Sequence, residues 1–319
     1  MIIRPLLCLP ARIRCATFLA ASISFLGLNL AAAEQPSGLQ VQRFSVPYPL
    51  GMSSDGRYLW VVDSLDGSVL KLDENHGTML ATYPVFGSSS GAYNIIFDGA
   101  NMWVSSFYGG LAKVRASDGR ILGYFDAGLS PIFMVFDGTN IWVANSLANT
   151  VTKIRASDGV KLGAFPAGNA PSFITFDGTN IWVTNGNSNT VTEIAASDGS
   201  IIASYDTGAL TSGIGYENGH IWVSHYNANT VTELSASNGS ILGTFPVGST
   251  PTAIAITPTK IWVTDDVPGR AHASSLLLKD GTRADHPKAG SYPHAIFFDG
   301  THIWISNEQS QVVKITGDI

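Results

Sequence analysis

Pro171–Thr207 reads PSFITFDGTNIWVTNGNSNTVTEIAASDGSIIASYDT and contains the unit from which the rest of the chain is built. Four short β-prone runs are separated by turn signals: Ser172–Phe176, Ile181–Asn185, Thr190–Ala195 and Ile201–Tyr205. Asp177-Gly178-Thr179-Asn180 makes a tight turn, Gly186–Asn189 a polar loop, and Ser197-Asp198-Gly199 a second turn. Outward in both directions the centre of this unit recurs. All seven tryptophans, Trp60, Trp103, Trp142, Trp182, Trp222, Trp262 and Trp304, sit in the same phrase at intervals of 39 to 43 residues. A repeat near 40 residues is the period of a four-stranded propeller blade. The sequence therefore predicts an all-β, seven-bladed β-propeller.

The end of the chain shows how such a ring closes. Pro293–Phe298, Ile303–Asn307 and Gln311–Ile315 supply only three strands for the last blade. The outermost strands elsewhere carry an aromatic residue two before a small one or valine: Tyr83, Phe125, Phe165, Tyr205 and Phe245. Blade six lacks it, and the same signature stands at Phe44-x-Val46, ahead of any first strand. Leu39–Val46 is thus expected to complete blade seven, one strand from the start joining three from the end and removing an open edge.

Residues 1–33 do not follow the repeat. Arg4, Arg12 and Arg14 precede an apolar stretch, roughly Ala16 to Leu30, and Ala31-Ala32-Ala33 resembles a cleavage site ahead of Glu34. The expected organisation is a signal peptide at 1–33, a short linker at 34–38 and the propeller at 39–319. This implies a periplasmic or secreted protein with no membrane insertion after cleavage. Both cysteines, Cys8 and Cys15, fall in the leader, so the mature chain has no thiol chemistry. Removing the three leader arginines takes the net charge from −6 to −9. A chain so acidic is not expected to bind nucleic acid, which needs a basic stripe.

The tryptophans read as packing between blades, and the aspartates recurring at Asp55, Asp98, Asp137, Asp177 and Asp299 as turn chemistry. Function is sought where one copy departs from the others. The residue closing the Trp phrase runs Asp63, Ser106, Asn145, Asn185, His225, Asp265, Asn307, and the second residue of each inner strand ends at His294. Both columns lie on the face that carries the blade-to-blade connectors. Blades five to seven place His225, Tyr226, Asp265, Asp266, His272, Tyr292, His294 and Glu308 there. These are the candidate ligand-binding residues, and His225, Asp265, His272 and His294 are candidate ligands of a divalent metal ion. Tyr93, Phe107 and Tyr108 belong to the same face as stacking or packing groups. His76, His220 and His302 fall in turns on the opposite face and read as exposed.

Trp182-Val183-Thr184-Asn185, followed by Asn189-Thr190-Val191-Thr192, resembles the repeat of the YVTN-type β-propeller proteins. Gly248-Ser249-Thr250-Pro251 matches that family's Gly-x-x-Pro connector, and the family's Tyr is Trp throughout this chain. The likeness covers residues 39–319. It implies the fold and, through the related streptogramin (virginiamycin B) lyases, a magnesium-assisted His/Glu chemistry whose residues do not align here. The leading expectation is an exported binding or scaffold propeller recognising a small molecule, a glycan or a protein. The alternative is a metal-assisted lyase or hydrolase using the His/Asp/Glu set of blades five to seven.

Overall fold

A computed structural model describes residues 38–88, 90–108, 110–267, 271–307 and 310–319. The leader, residues 34–37 and Glu308 lie outside the described residues. Seven antiparallel four-stranded sheets form a ring, and the first strands of successive blades lie against one another all the way round. Blade four, for example, consists of Pro171–Phe176, Asn180–Asn185, Thr190–Ala195 and Ile201–Asp206.

The β-branched and aromatic residues of each second strand are buried on both sides because a neighbouring blade covers each face. Every tryptophan is buried and packs into the next blade. Trp142 lies with Ile174, Ile181 and Val183, and Trp304 with Met52, Leu59 and Val61, which closes the ring hydrophobically. Each such ring contributes roughly 2–3 kcal/mol. The packing expectation for the tryptophans is met.

The closure is also as expected. Gln40–Ser45 pairs antiparallel with Gln311–Thr316, with Phe44 opposite Val312. Ser306 adds a second tie, donating from Oγ to the Leu50 carbonyl of blade one at 2.6 Å.

The outer aromatics explain themselves in the same frame. Phe44, Tyr83, Phe125, Phe165, Tyr205 and Phe245 each lie beneath a glycine in the outer turn of the next blade: Gly77, Gly119, Gly159, Gly199, Gly239 and Gly281. A Cβ on Gly159 would overlap the Phe125 ring, and its φ of +76° is one that other residues resist. Between blades six and seven this lock is missing on both sides. Blade seven is completed by the other end of the chain, so it has no third-to-fourth-strand turn to receive an aromatic ring. That is why blade six carries none. Its fourth strand is also short, Lys288–Gly290.

Candidate functional site

On the connector face the departures from the repeat are real, but most are held internally. His225 ends the second strand of blade five, His220–His225, and is 1% exposed. Its Nε2 lies 2.9 Å from Thr232 Oγ1 and its Nδ1 3.2 Å from the Ala209 carbonyl. In the same position Asn145 and Asn185 donate to Thr152 and Thr192. Burial pushes the His225 pKa down, so the ring is neutral. Nδ1–H then donates to the carbonyl, and Nε2 accepts from the threonine. His225 replaces an asparagine as a brace, with both ring nitrogens engaged.

Asp265 takes the equivalent place in blade six. It is 2% exposed, and its Oδ2 accepts a 2.6 Å bond from Ser274 Oγ. Burial raises its pKa to about 7. Ser274 Oγ also lies 2.9 Å from His286 Nδ1, and His286 stacks on His272 with 4.2 Å between centroids. His272 is therefore joined to Asp265 through Ser274 and His286. The segment carrying His286 has no strand pattern, so its sequence does not announce the contact.

His294 sits in the first strand of blade seven, Pro293–Phe298, and burial pushes its pKa down to about 4. Asp266 holds the connector through its backbone, its N–H donating to the Thr250 carbonyl at 3.1 Å and its carbonyl accepting from Thr250 Oγ1 at 2.6 Å. Tyr226 is half-buried and Tyr292 exposed. Tyr93 packs edge-on against Phe133 at 5.4 Å, and Phe107 against Tyr108 at 5.0 Å, so these aromatics contact one another. Among the described residues, no group of three or more His, Cys, Asp or Glu is placed to hold a metal ion.

Asp265 gives a testable pH dependence. Its folded pKa, about 7, exceeds the ordinary 3.8, so the fold favours the protonated acid. Its contribution to stability is intact below pH ~4, erodes between ~4 and ~7, and is lost above that. Asp265→Asn is expected to stabilise the protein above pH 7 by up to about 4 kcal/mol and to do little at pH 4. Denaturant unfolding of both proteins across this range, read as a difference curve, checks it. A difference that does not grow with pH overturns the assignment. His294, whose pKa is lowered, acts in the opposite direction in both proteins and cancels, whereas His286, 3.8 Å from Asp265, titrates with it, so the difference curve reports the Asp265–His286 pair.

The opposite face holds a cavity that the histidine columns do not reveal. In five blades the turn aspartate accepts a hydrogen bond from the tryptophan Nε1 at 2.7–2.8 Å: Trp60 to Asp55, Trp103 to Asp98, Trp142 to Asp137, Trp182 to Asp177 and Trp304 to Asp299. Burial alone would raise the Asp137 pKa, but bonds from Asn140, Trp142 and Thr139 outweigh it and hold the carboxyl below its ordinary range.

A lysine two residues before the end of the third strand supplies a second clamp in four blades. Lys71, Lys113, Lys153 and Lys314 reach the turn carbonyls of the following blade at Ala116, Ala156, Ala196 and Glu74, at 2.5–3.2 Å. Each ammonium also lies 4.7–5.2 Å from the ring centroid of its own blade's tryptophan.

Blade five has lost both clamps. Glu217 stands in the aspartate position. Asn218 and Gly219 follow at φ 49° and 85°, a two-residue turn that keeps Glu217 in the ladder opposite His220. Trp222 Nε1 is left buried without a partner. Glu233 replaces the lysine. Its counterpart in blade four, Glu193, is satisfied by Asn180 and by the Tyr205 hydroxyl, both at 2.7 Å. In blade five those partners become His220 and Phe245. His220 Nδ1 lies 2.7 Å from Glu233 Oε1, off the hydrogen-bonding direction, and Phe245 has nothing to donate.

The result is a cleft of about 540 Å³ between blades five and six, with Glu217, His220, Trp222 and Glu233 on one side and Pro258, Leu277, Leu278 and Lys279 on the other. His220, at the start of the strand His220–His225, has a side chain 43% exposed, as expected, and it also lines this cleft. His302 is partly buried against Asp299 at 3.0 Å, whereas His76 is exposed as expected. The signal for the cleft was present in the sequence as a paired loss of turn aspartate and strand lysine, which blade five shares with blade six, where Thr257 and Ser275 hold those positions and Trp262 Nε1 is likewise without a partner.

No protein-family model matches the sequence, and no curated protein matches it. Matching chains of solved structures number 1558. One is a chain of the "Crystal Structure of Mitotic Checkpoint Complex", similar over 93% of this chain and 99% of that one, with a TM-score of 0.77 and 12% identity. That likeness is one of architecture: the chain is a seven-bladed β-propeller with four-stranded blades.

Proposed function

We propose that this chain is an exported, non-enzymatic binding propeller whose ligand, a small polar molecule, occupies the cleft between blades five and six. One observation carries this reading. Trp222 Nε1 is a buried donor without an acceptor, as is Trp262 Nε1 of blade six, and Trp222 lines the cleft; in the other five blades a turn aspartate supplies the acceptor. A buried unsatisfied N–H costs about 1–3 kcal/mol, and a ligand that supplied the acceptor would recover it. The cleft's concavity, apolar wall and few convergent polar groups suit a small-molecule site. The fold itself fits a binding or scaffold role.

The test is a thermal-shift screen against amino acids, sugars and nucleosides, run on the native protein and on Leu278→Arg, which would fill the cleft from the blade-six side. A compound that raises the melting temperature of the native protein alone supports the site. Equal shifts in both proteins place binding elsewhere and sink it.

The metal-assisted alternative has less support, since His225 has both ring nitrogens engaged. Calorimetric titration with zinc, magnesium and calcium addresses it directly. Tight binding abolished by His225→Ala and His294→Ala together would revive it. Export rests on the leader, and N-terminal sequencing of secreted protein is expected to read Glu-Gln-Pro-Ser from Glu34. An intact leader in a membrane fraction would make this an anchored protein instead.

A further inference from the structure

The same cleft says what kind of molecule it would take, and this step rests on the binding reading just given. In blade one both clamps are present together, and Lys71 Nζ lies 4.0 Å from Asp55 Oδ2. An intact joint therefore holds a carboxylate at the indole N–H, with an ammonium beside it over the tryptophan ring. That ammonium reaches the turn carbonyl of the next blade.

In blade five the groups that receive these two charges remain, but the carboxylate in the aspartate position, Glu217, lines the cleft without bonding the indole N–H, and no cation takes the lysine's place. Trp222 Nε1 awaits an acceptor. Leu278, whose counterparts Ala116, Ala156 and Ala196 offer their carbonyls to lysine, lines the cleft opposite. Where the lysine stood there is now the carboxylate of Glu233, which attracts a cation more strongly than a carbonyl does. The His220 ring lies 2.7 Å from it.

We infer that the cleft between blades five and six binds a small zwitterion of the amino-acid class, its carboxylate accepting from Trp222 Nε1 and its ammonium lying between Glu233, the Trp222 ring and the Leu278 edge. The ligand would replace, as one molecule, the aspartate and lysine that blade five lacks. Lys279 on the rim and the apolar surface of Pro258, Leu277 and Leu278 would meet the rest of the molecule. A neutral polyol matches less well, because it brings no positive charge to Glu233.

Each proteinogenic amino acid, its decarboxylated amine and its deaminated acid, together with glucose and glycerol as neutral polyols, would be titrated calorimetrically into the full-length mature protein. At least one amino acid is expected to bind, with its amine and its acid each at least tenfold weaker. Glu233→Gln is expected to weaken that amino acid tenfold or more. A second variant rebuilds the clamps, with Glu217→Asp, Asn218→Gly and Gly219→Thr restoring the turn and Glu233→Lys restoring the cation. It is expected to bind nothing in the cleft and to melt higher than the native protein, so lost binding cannot be put down to unfolding.

Polyol binding that the clamp-restoring variant abolishes, without amino-acid binding, would overturn the zwitterion and leave the cleft as a site. Amino-acid binding indifferent to Glu233→Gln would overturn the proposed geometry. Should no probe bind the native protein, the zwitterion falls, and the binding reading falls with it only if the thermal-shift screen of sugars and nucleosides is also negative.

Discussion

A protein lacking residues 34–46 is expected to melt at least ~10 °C below the intact chain, or not to fold. The deletion removes the strand Gln40–Ser45 from its ladder with Gln311–Thr316. It also takes Phe44 from between Trp304 and Gly77. Lost ladder bonds at about 1 kcal/mol each and the lost burial of Phe44 sum to roughly 5 kcal/mol or more. For a domain of this size each kcal/mol moves the melting temperature by about 2–4 °C. Calorimetric melting of the truncated protein checks this, and an unchanged transition would mean that blade seven does not need its fourth strand.

The second large effect is expected at Trp142. Trp142→Ala empties a fully buried site shared with blade four, and truncations of this kind cost about 3–5 kcal/mol. It also strips the Asp137 carboxylate of its 2.7 Å indole donor. A milder pair of substitutions separates the two contributions. Trp142→Phe keeps most of the packing and leaves Asp137 with its Asn140 and Thr139 donors but without the indole, with an expected loss of about 1–3 kcal/mol. Trp222→Phe removes an N–H that has no partner and is expected to cost clearly less. Equal losses at the two positions, measured by denaturant unfolding, would show that the indole–aspartate bond contributes nothing to the joint.

That contrast also marks how far the sequence could be read. The ring was legible because its determinants are local and periodic. One tryptophan per repeat, a turn aspartate and an aromatic residue on each outer strand recur at fixed offsets, and Phe44 stands out because it carries the signature with no blade before it. The cleft was less legible because its determinants are relational. Glu233 matters only because residue 245 is phenylalanine where blade four has Tyr205, and because residue 220 is histidine where blade four has Asn180. Those residues sit on three different strands, and a single charged column does not show them. The histidine columns are read differently once their contacts are known. His225 and Asp265 stand out in composition, yet they do the bracing work of an asparagine at the same backbone position. His286 could not be tied to Asp265 at all without the path of the short fourth strand of blade six.

The pairing of Gln40 with Thr316 has a consequence for how the molecule comes into being. If the chain is threaded out of the cell amino-terminus first, its first strand emerges long before the strand it must join. Until the final residues arrive, six blades can assemble while one strand drifts without a partner and the third strand of the last blade does not yet exist. Bringing the two ends together is a long-range contact, slow to form and entropically unfavourable. The interval before it is made is when an unpaired edge is open to other chains. Ring closure thus works as a completeness check: a chain cut short or stalled anywhere before its last strand stays an open, association-prone arc, and only a finished one becomes a sealed ring.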